Sequence, residues 1–264
     1  APPRRRTAEW RRPRWLTGTL GIVGILVLWQ VLAVTAFAAR HIVPTPTSVA
    51  VEIGQEWSLY VTNLIPTLRQ AAIGWLVGNA LAVGLAIATI QLPSGERFVL
   101  RLAIVTYSMP IIAIGPILVI TMTGDGPAAV LAGLSVFFTT LVQTILGLRS
   151  ADRTSLDLIR AYGGGAWAQL VKIRLHVALP ATFAGLSIAG PAAILGAIIG
   201  EYLGTSQGLG VTMVNSEQAL DVQRTWGIAI VISAAAGAAY LATRGLGRLA
   251  TPWLPGTVAA GETP

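Results

Sequence analysis

No cysteine occurs in this chain of 264 residues. Disulfides, thiolate-bound metals and thiol catalysis are therefore excluded. Imidazole is almost as scarce. His41 and His176 are the only histidines, so a multi-histidine metal site would need a second copy of the chain. Charge is scarce too, at 11% of residues, where a soluble domain carries about 25%. The single lysine, Lys172, follows Val171 and not the glycine that GxxxxGK[ST] demands. The chain thus has no P-loop and does not hydrolyse ATP by that route. Ser-His-Asp and HExxH arrangements are also missing, and no dense set of carboxylates falls inside the apolar runs. Asp125 and Asp221 read as loop residues, and Glu201 ends an apolar run. A proton- or sodium-coupled carrier relies on ionisable residues or broken helices near the membrane midplane. Their scarcity points to a pathway powered from outside the chain.

What the chain has in quantity is apolar surface. It is 54% hydrophobic, with a mean hydropathy of +0.69. About 20 apolar residues span the hydrocarbon. Six stretches qualify, near 17–39, 65–90, 98–121, 128–148, 181–200 and 224–243. The expected fold is all-α, a polytopic membrane protein with six transmembrane helices. The fifth and sixth spans are rich in Gly and Ala, with Gly185, Gly190, Gly196 and Gly200 in the fifth. Small residues let helix backbones approach closely, so these two are expected inside a bundle or dimer.

The net charge is +7. In a membrane chain such an excess marks cytoplasmic loops, not a nucleic-acid partner. With the N-terminus inside, the cytoplasmic segments collect 15 of the 18 cations, and only Arg40, Arg69 and Arg224 fall on or near the outer side. That predicts two cytoplasmic termini and a cytoplasmic loop at 149–180. The Arg-rich start, the apolar run and Ala36-Phe-Ala38 resemble a cleavable signal. The run is longer than the 7–15 residues of a signal core, so it reads as a retained span. The expected organisation is a basic tail at 1–16 that touches anionic lipid at most, a transmembrane domain at 17–250 and a tail at 251–264. Arg69 either attracts an anionic solute or snorkels to the headgroups. Between the first two spans, Val49, Ile53, Trp57, Tyr60 and Leu64 predict an amphipathic helix on the outer face. Thr45 would cap it, with Pro46 in its first turn.

The most informative segment is 157–180. Leu156, Ile159, Tyr162, Ala166, Leu170 and Ile173 recur at helical spacing, and Gly163-Gly164-Gly165 interrupts them. The pattern predicts two short helices joined by a turn. Tyr162, Trp167 and Leu170 give this hairpin an anchor-type composition. Arg160, Lys172 and Arg174 would steer an acidic rim towards it. Asp157, near a helix start, would gain from the helix dipole. A membrane-surface helix without a partner is the plainer alternative.

These motifs, in this order, resemble the permease subunits of bacterial ABC importers with the MetI-like type I fold. Within that group the likeness is nearest to the nitrate/sulfonate/taurine branch, and it covers about residues 42–246. The hairpin is similar to the family's EAA loop, Glu-Ala-Ala, three residues, Gly, nine residues, Ile-x-Leu-Pro. Gly163 takes the glycine place, and Ile173 and Leu175 follow. The acid is Asp157, Leu158 and Ile159 replace the alanines, and His176 replaces the first proline. Pro180 matches a second proline of the branch. Glu201-Tyr-Leu-Gly…Gly208-Leu-Gly210 resembles its E-[FY]-LG…GLG segment. Val43-Pro-Thr-Pro-Thr-Ser48 is similar to its LPSPS motif, and Pro110, Ala113, Pro116 and Gly124 to its proline-punctuated third span.

The resemblance implies a non-enzymatic transport subunit without a cofactor of its own. ATP and Mg would sit on a cytosolic ABC ATPase dimer. The dock would be the coupling loop, with Asp157, Arg160, Tyr162, Gly163, Trp167, Leu170 and Lys172. A second permease copy, identical or not, would complete the pathway, and an extracytoplasmic solute-binding protein would deliver a small polar or anionic solute. Glu201, Gly208 and Gly210 would form an outer gate or touch that protein. For Glu201, a plain interfacial carboxylate at a helix end is an equal alternative. An energy-independent carrier or channel, and a membrane scaffold recruiting a cytosolic partner, remain open as rival functions. The setting implied is a bacterial inner membrane.

Overall fold

In the computed structural model of this chain, residues 14–37 and 42–253 are described. The two predicted tails lie largely outside them, as do Ala38, Arg40 and His41. The regular structure of the described residues is all helical, with no strand among them.

The first span is α1 (Arg14–Thr35). A short helix, α2 (Pro46–Gln55), follows it. The Thr45 Oγ1 accepts from the Ser48 N–H at 3.2 Å, and Pro46 opens the first turn, as the sequence predicts. The amphipathic helix is shorter than expected, however. Trp57, Tyr60 and Leu64 belong instead to α3 (Trp57–Gln91), a span of 35 residues that runs on past Pro66.

The expected third span is not one helix. It divides into α4 (Pro93–Ser108) and α5 (Ile111–Thr121). Pro110 has no N–H to continue the ladder and disfavours helical geometry at Met109, which is extended (φ −71°, ψ 125°). Among the described residues, five helices are therefore long and apolar enough to cross a membrane, with α5 a shorter apolar one.

Next come α6 (Gly126–Arg149) and α7 (Arg153–Ala161). The remaining hairpin arm is not a separate helix. A single turn, α8 (Ala166–Gln169), passes through a π-helical turn at Leu170–Arg174 into α9 (Leu175–Gly204). Then α10 (Leu209–Gln218) and α11 (Val222–Ala250) are the last helices of the described residues.

The centre is the antiparallel pair α6–α9, flanked by α3 and α11. Glycines and alanines let the pair approach. A Cβ on Gly200 would lie 2.5 Å from the Ala128 Cα, and one on Gly147 would lie 2.9 Å from the Ala178 carbonyl oxygen. Ala71, Ala132, Val136, Ala189, Ala193 and Ala197 fill the middle. Large side chains are few there because lipid tails are as apolar as leucine, so close packing drives helix association. The Asn79–Thr140 side-chain bond ties α3 to α6.

The two small-residue spans behave differently. More than half of the most apolar window of the fifth is buried, as predicted, whereas only 11% of that of α11 is covered. The first span, α1, is 6% covered over its own window. It is held at one edge by Trp29, whose indole N–H donates to the Pro44 carbonyl (3.0 Å) and whose ring lies 5.2 Å from Trp226. Arg224 joins α11 to α2 through Glu52 (3.1 Å) and also pairs with Asp221 (3.4 Å). Because α6 and α9 run antiparallel and Phe183 packs on Gly247, Arg149, Arg153, Lys172, Arg174, Arg244 and Arg248 gather at one end of the bundle.

Candidate functional site

The polar hairpin sits at this cation-rich end. The Asp152 carboxylate caps α7 by accepting from the Ser155 N–H at 3.2 Å. Asp157, read as the residue that favours the helix start, lies mid-helix instead and pairs with Arg160 at 3.1 Å on an exposed face. The helix then stops in a Schellman arrangement. The Gly163 N–H donates to the Arg160 carbonyl (2.9 Å), and the Gly164 N–H donates to that of Ile159 (2.8 Å). Such a stop needs a left-handed residue after the cap. Gly163 supplies it, with φ +79°.

One face of the hairpin is fastened to the bundle. Leu156 is buried, and the Gln169 amide Nε2 donates to the Leu156 carbonyl at 3.1 Å. The Arg174 guanidinium donates to the Leu148 carbonyl at 2.9 Å, at the end of α6. Leu170 departs from its expected place among the docking residues. It is 1% exposed and packs with Leu141, Ile145, Leu148 and Ala178, so it anchors the hairpin and offers no surface. The other face is open. Tyr162 is 85% exposed, Trp167 69% and Leu158 57%. Lys172 is exposed beside them. Two rings and a leucine held in solvent by a fixed backbone form a surface suited to burial by another macromolecule.

At the opposite end, Glu201 is neither an exposed interfacial group nor a free gate in this arrangement. It is 2% exposed. Its Oε2 accepts from the Thr67 hydroxyl and from the Gly210 N–H, each at 2.9 Å. The Thr67 Oγ1 in turn accepts from the Leu209 N–H at 2.9 Å. A carboxylate on α9 and a threonine on α3 thus satisfy two of the N–H groups that open α10. Gly208 and Gly210 are buried against it. Gly208 has φ +120°, and any Cβ there would overlap the Glu201 carboxyl group. A Cβ on Gly210 would stand 2.7 Å from the Glu201 Cβ. The glycines are the seat of the carboxylate. Sequence reasoning missed Thr67 and Gln169, which lie in apolar or helical stretches and carry no motif. No group of three or more potential metal-ligating side chains occurs among the described residues.

The profile of "Binding-protein-dependent transport system inner membrane component" matches residues 78–254. A probable ABC transporter permease protein of Haemophilus influenzae is 28% identical over 214 residues, covering 80% of this chain and 87% of its own. The formylaminopyrimidine transport permease protein ThiX of Halalkalibacterium halodurans is 28% identical over 242 residues, covering 90% and 96%. A putative aliphatic sulfonates transport permease protein, SsuC, of Escherichia coli is 25% identical over 257 residues, covering 95% and 93%. Among solved structures, a chain of the MetNI methionine ABC transporter in inward-facing conformations superposes with a TM-score of 0.58 at 17% identity. That match covers 74% of this chain and 95% of the other, and it shows a common fold. The chain belongs to the family of binding-protein-dependent transport system inner membrane components. It is a multi-pass membrane permease subunit of an ABC-type transport system and not itself a catalyst.

Proposed function

We propose that this chain forms the translocation pathway of a bacterial ABC importer and is driven by a cytosolic ATPase dimer through the hairpin around 157–175. On this reading α4 and α5 together make the third of six crossings. Both termini are cytoplasmic, since the cation-rich end then faces the cytoplasm. A second copy completes the pathway, and a solute-binding protein delivers substrate from outside. The single observation that carries the docking assignment is the two-faced hairpin. Tyr162 and Trp167 stand in solvent, while Gln169 ties the two arms together at Leu156 and Leu170 fastens the other face to the spans. Asp157, Arg160, Gly163 and Lys172 complete the dock, with Leu170 as its anchor. The substrate class is a small polar or anionic solute. It is supported by relatives named for formylaminopyrimidine and aliphatic sulfonates, and by the likeness to the nitrate/sulfonate/taurine branch.

The test is purification from the native host in mild detergent, followed by uptake in proteoliposomes. A P-loop ATPase should co-purify and crosslink from position 167. Trp167→Asp should abolish ATP-driven uptake while leaving membrane insertion intact. Undiminished uptake in that variant would overturn the docking assignment, and uptake without any ATPase would favour an energy-independent carrier.

A further inference from the structure

At the cation-rich end, α9 and α11 line a groove of about 630 Å³. Phe183, Ala184 and Ile188 line it from α9, and Tyr240, Arg244 and Arg248 line it from α11. We propose that this groove binds one anionic phospholipid. The headgroup phosphate is held by Arg244 and Arg248, and an acyl chain lies along Phe183, Ala184 and Ile188.

The chemistry of the lining selects the sign of the ligand. No Asp or Glu lines the groove, so it has nothing to offer a cation. Its two aliphatic hydroxyls already use their protons. The Ser187 Oγ donates to the Phe183 carbonyl and the Thr251 Oγ to the Gly247 carbonyl, both at 2.8 Å. The donors left on the walls are the two guanidiniums and the Tyr240 phenol, a set that matches an acceptor-only phosphate. The arginines stand four residues apart on one face of α11, and Arg244 lies 6.0 Å from the centre of the Tyr240 ring.

The shape selects a lipid over a free anion. The two helices are antiparallel here. Phe183 packs on Gly247 near the bundle end, and Gly190 packs on Ala239 deeper in. The wall from Pro180 to Ile188 therefore runs about 12 Å inward from the end where Arg248 stands. A phosphate ion would leave that apolar length unused, whereas an acyl chain fills it. Basic pockets between spans on the cytoplasmic side are where anionic headgroups bind.

The experiment is native mass spectrometry of the full chain, released from detergent containing phosphatidylglycerol or phosphatidylcholine in equal amounts. One phosphatidylglycerol should be retained in preference. Arg244→Gln and Arg248→Gln should each weaken retention about fivefold, and the double variant about thirtyfold, at one charge contact apiece. Ala184→Trp keeps both arginines and fills the groove, and it should also release the lipid. Equal retention of the two lipids, or unchanged retention in both the double variant and Ala184→Trp, would overturn the assignment. So would displacement of the lipid by millimolar inorganic phosphate, which would mark a free-anion site. Lipid on the monomer but none on the dimer would also overturn it, because the second copy would then fill the groove.

Discussion

Truncating Glu201 should loosen α10 while the spans stay packed. In Glu201→Ala the Gly210 N–H loses its acceptor in a site that is 2% exposed. The Thr67 hydroxyl is better placed, because the Asn63 carbonyl oxygen lies 3.1 Å away and can take its proton. One stranded donor costs about 1–3 kcal/mol. Lost packing of the side chain against Gly208 and Gly210 raises the total to about 3 kcal/mol. That corresponds to an opening constant for α10 about 100-fold larger. The chain has no cysteine, so Ser216→Cys gives a unique thiol in α10. Ser216 is 3% exposed and donates to the Thr212 carbonyl at 2.8 Å, a geometry a thiol approximates. Its maleimide labelling rate reports local opening when reclosing is fast. Added to that background, Glu201→Ala should raise the rate about 100-fold. Glu201→Gln retains an oxygen for Gly210 and should raise it less than about tenfold. Labelling of the Glu201→Ala protein at the parent rate would refute this clasp of Glu201 and Thr67 on the start of α10. Equal acceleration by Ala and Gln would show that the charge matters and the acceptor does not.

Three further outcomes test other parts of the fold. Deleting Val171 removes the extra residue of the π-helical turn and rotates the turn before it by about 100° relative to α9; Leu170 then leaves its seat among Leu141, Ile145, Leu148 and Ala178, and trypsin should cut the hairpin at Arg160 faster than in the parent. Thr45→Ala removes the cap of α2 at a cost of about 1 kcal/mol, which should speed amide exchange at Ser48 about fivefold. Gly200→Leu drives a side chain into the Ala128 backbone and should abolish a monodisperse preparation, whereas Gly18→Leu, with nothing within 4 Å, should be tolerated.

The features legible in the sequence are those whose cause is local. Thr45 and Pro46 announce a helix start through their own chemistry, and Gly163 announces a stop. Apolar length announces the spans. Two local readings failed for a physical reason. The run 98–121 is apolar enough for one span, but Pro110 costs it the continuous ladder, and the run bends into two helices. Leu170 shares a helical stripe with Tyr162 on a 3.6-residue period. The left-handed Gly163 and the extended Gly165 break that period before Leu170 is reached, so the second arm sets its own phase and turns Leu170 to the core. The role of Glu201 was out of reach for another reason. One partner, Thr67, lies 134 residues away in sequence, and no periodicity in a single chain encodes that pairing.

The hairpin and the clasp belong to one element. From Ala166 to Gly204 the chain is continuously helical, about 58 Å at 1.5 Å per residue. Its first turn carries exposed Trp167, and its last carries buried Glu201. Near the first end, Gln169 and Arg174 bond the backbones of α7 and α6. Near the last, Glu201 bonds α10 directly and shares Thr67 with α3. A displacement of the hairpin cannot be absorbed in a loop before it reaches the spans, because no loop intervenes. It must either rotate the helix as a body or be taken up where the backbone ladder is weakest. Those places are the π-helical turn and the turns preceding Pro180 and Pro191, each of which lacks a helical N–H. The interior of α9 is lined with glycine and alanine where it meets α6. The two backbones are in contact there, and Leu131, Val136, Leu141 and Leu148 of α6 are fully buried around them, so a displacement of α9 carries α6 with it and reaches the far end through the packing as well as through the polar bonds at the two ends.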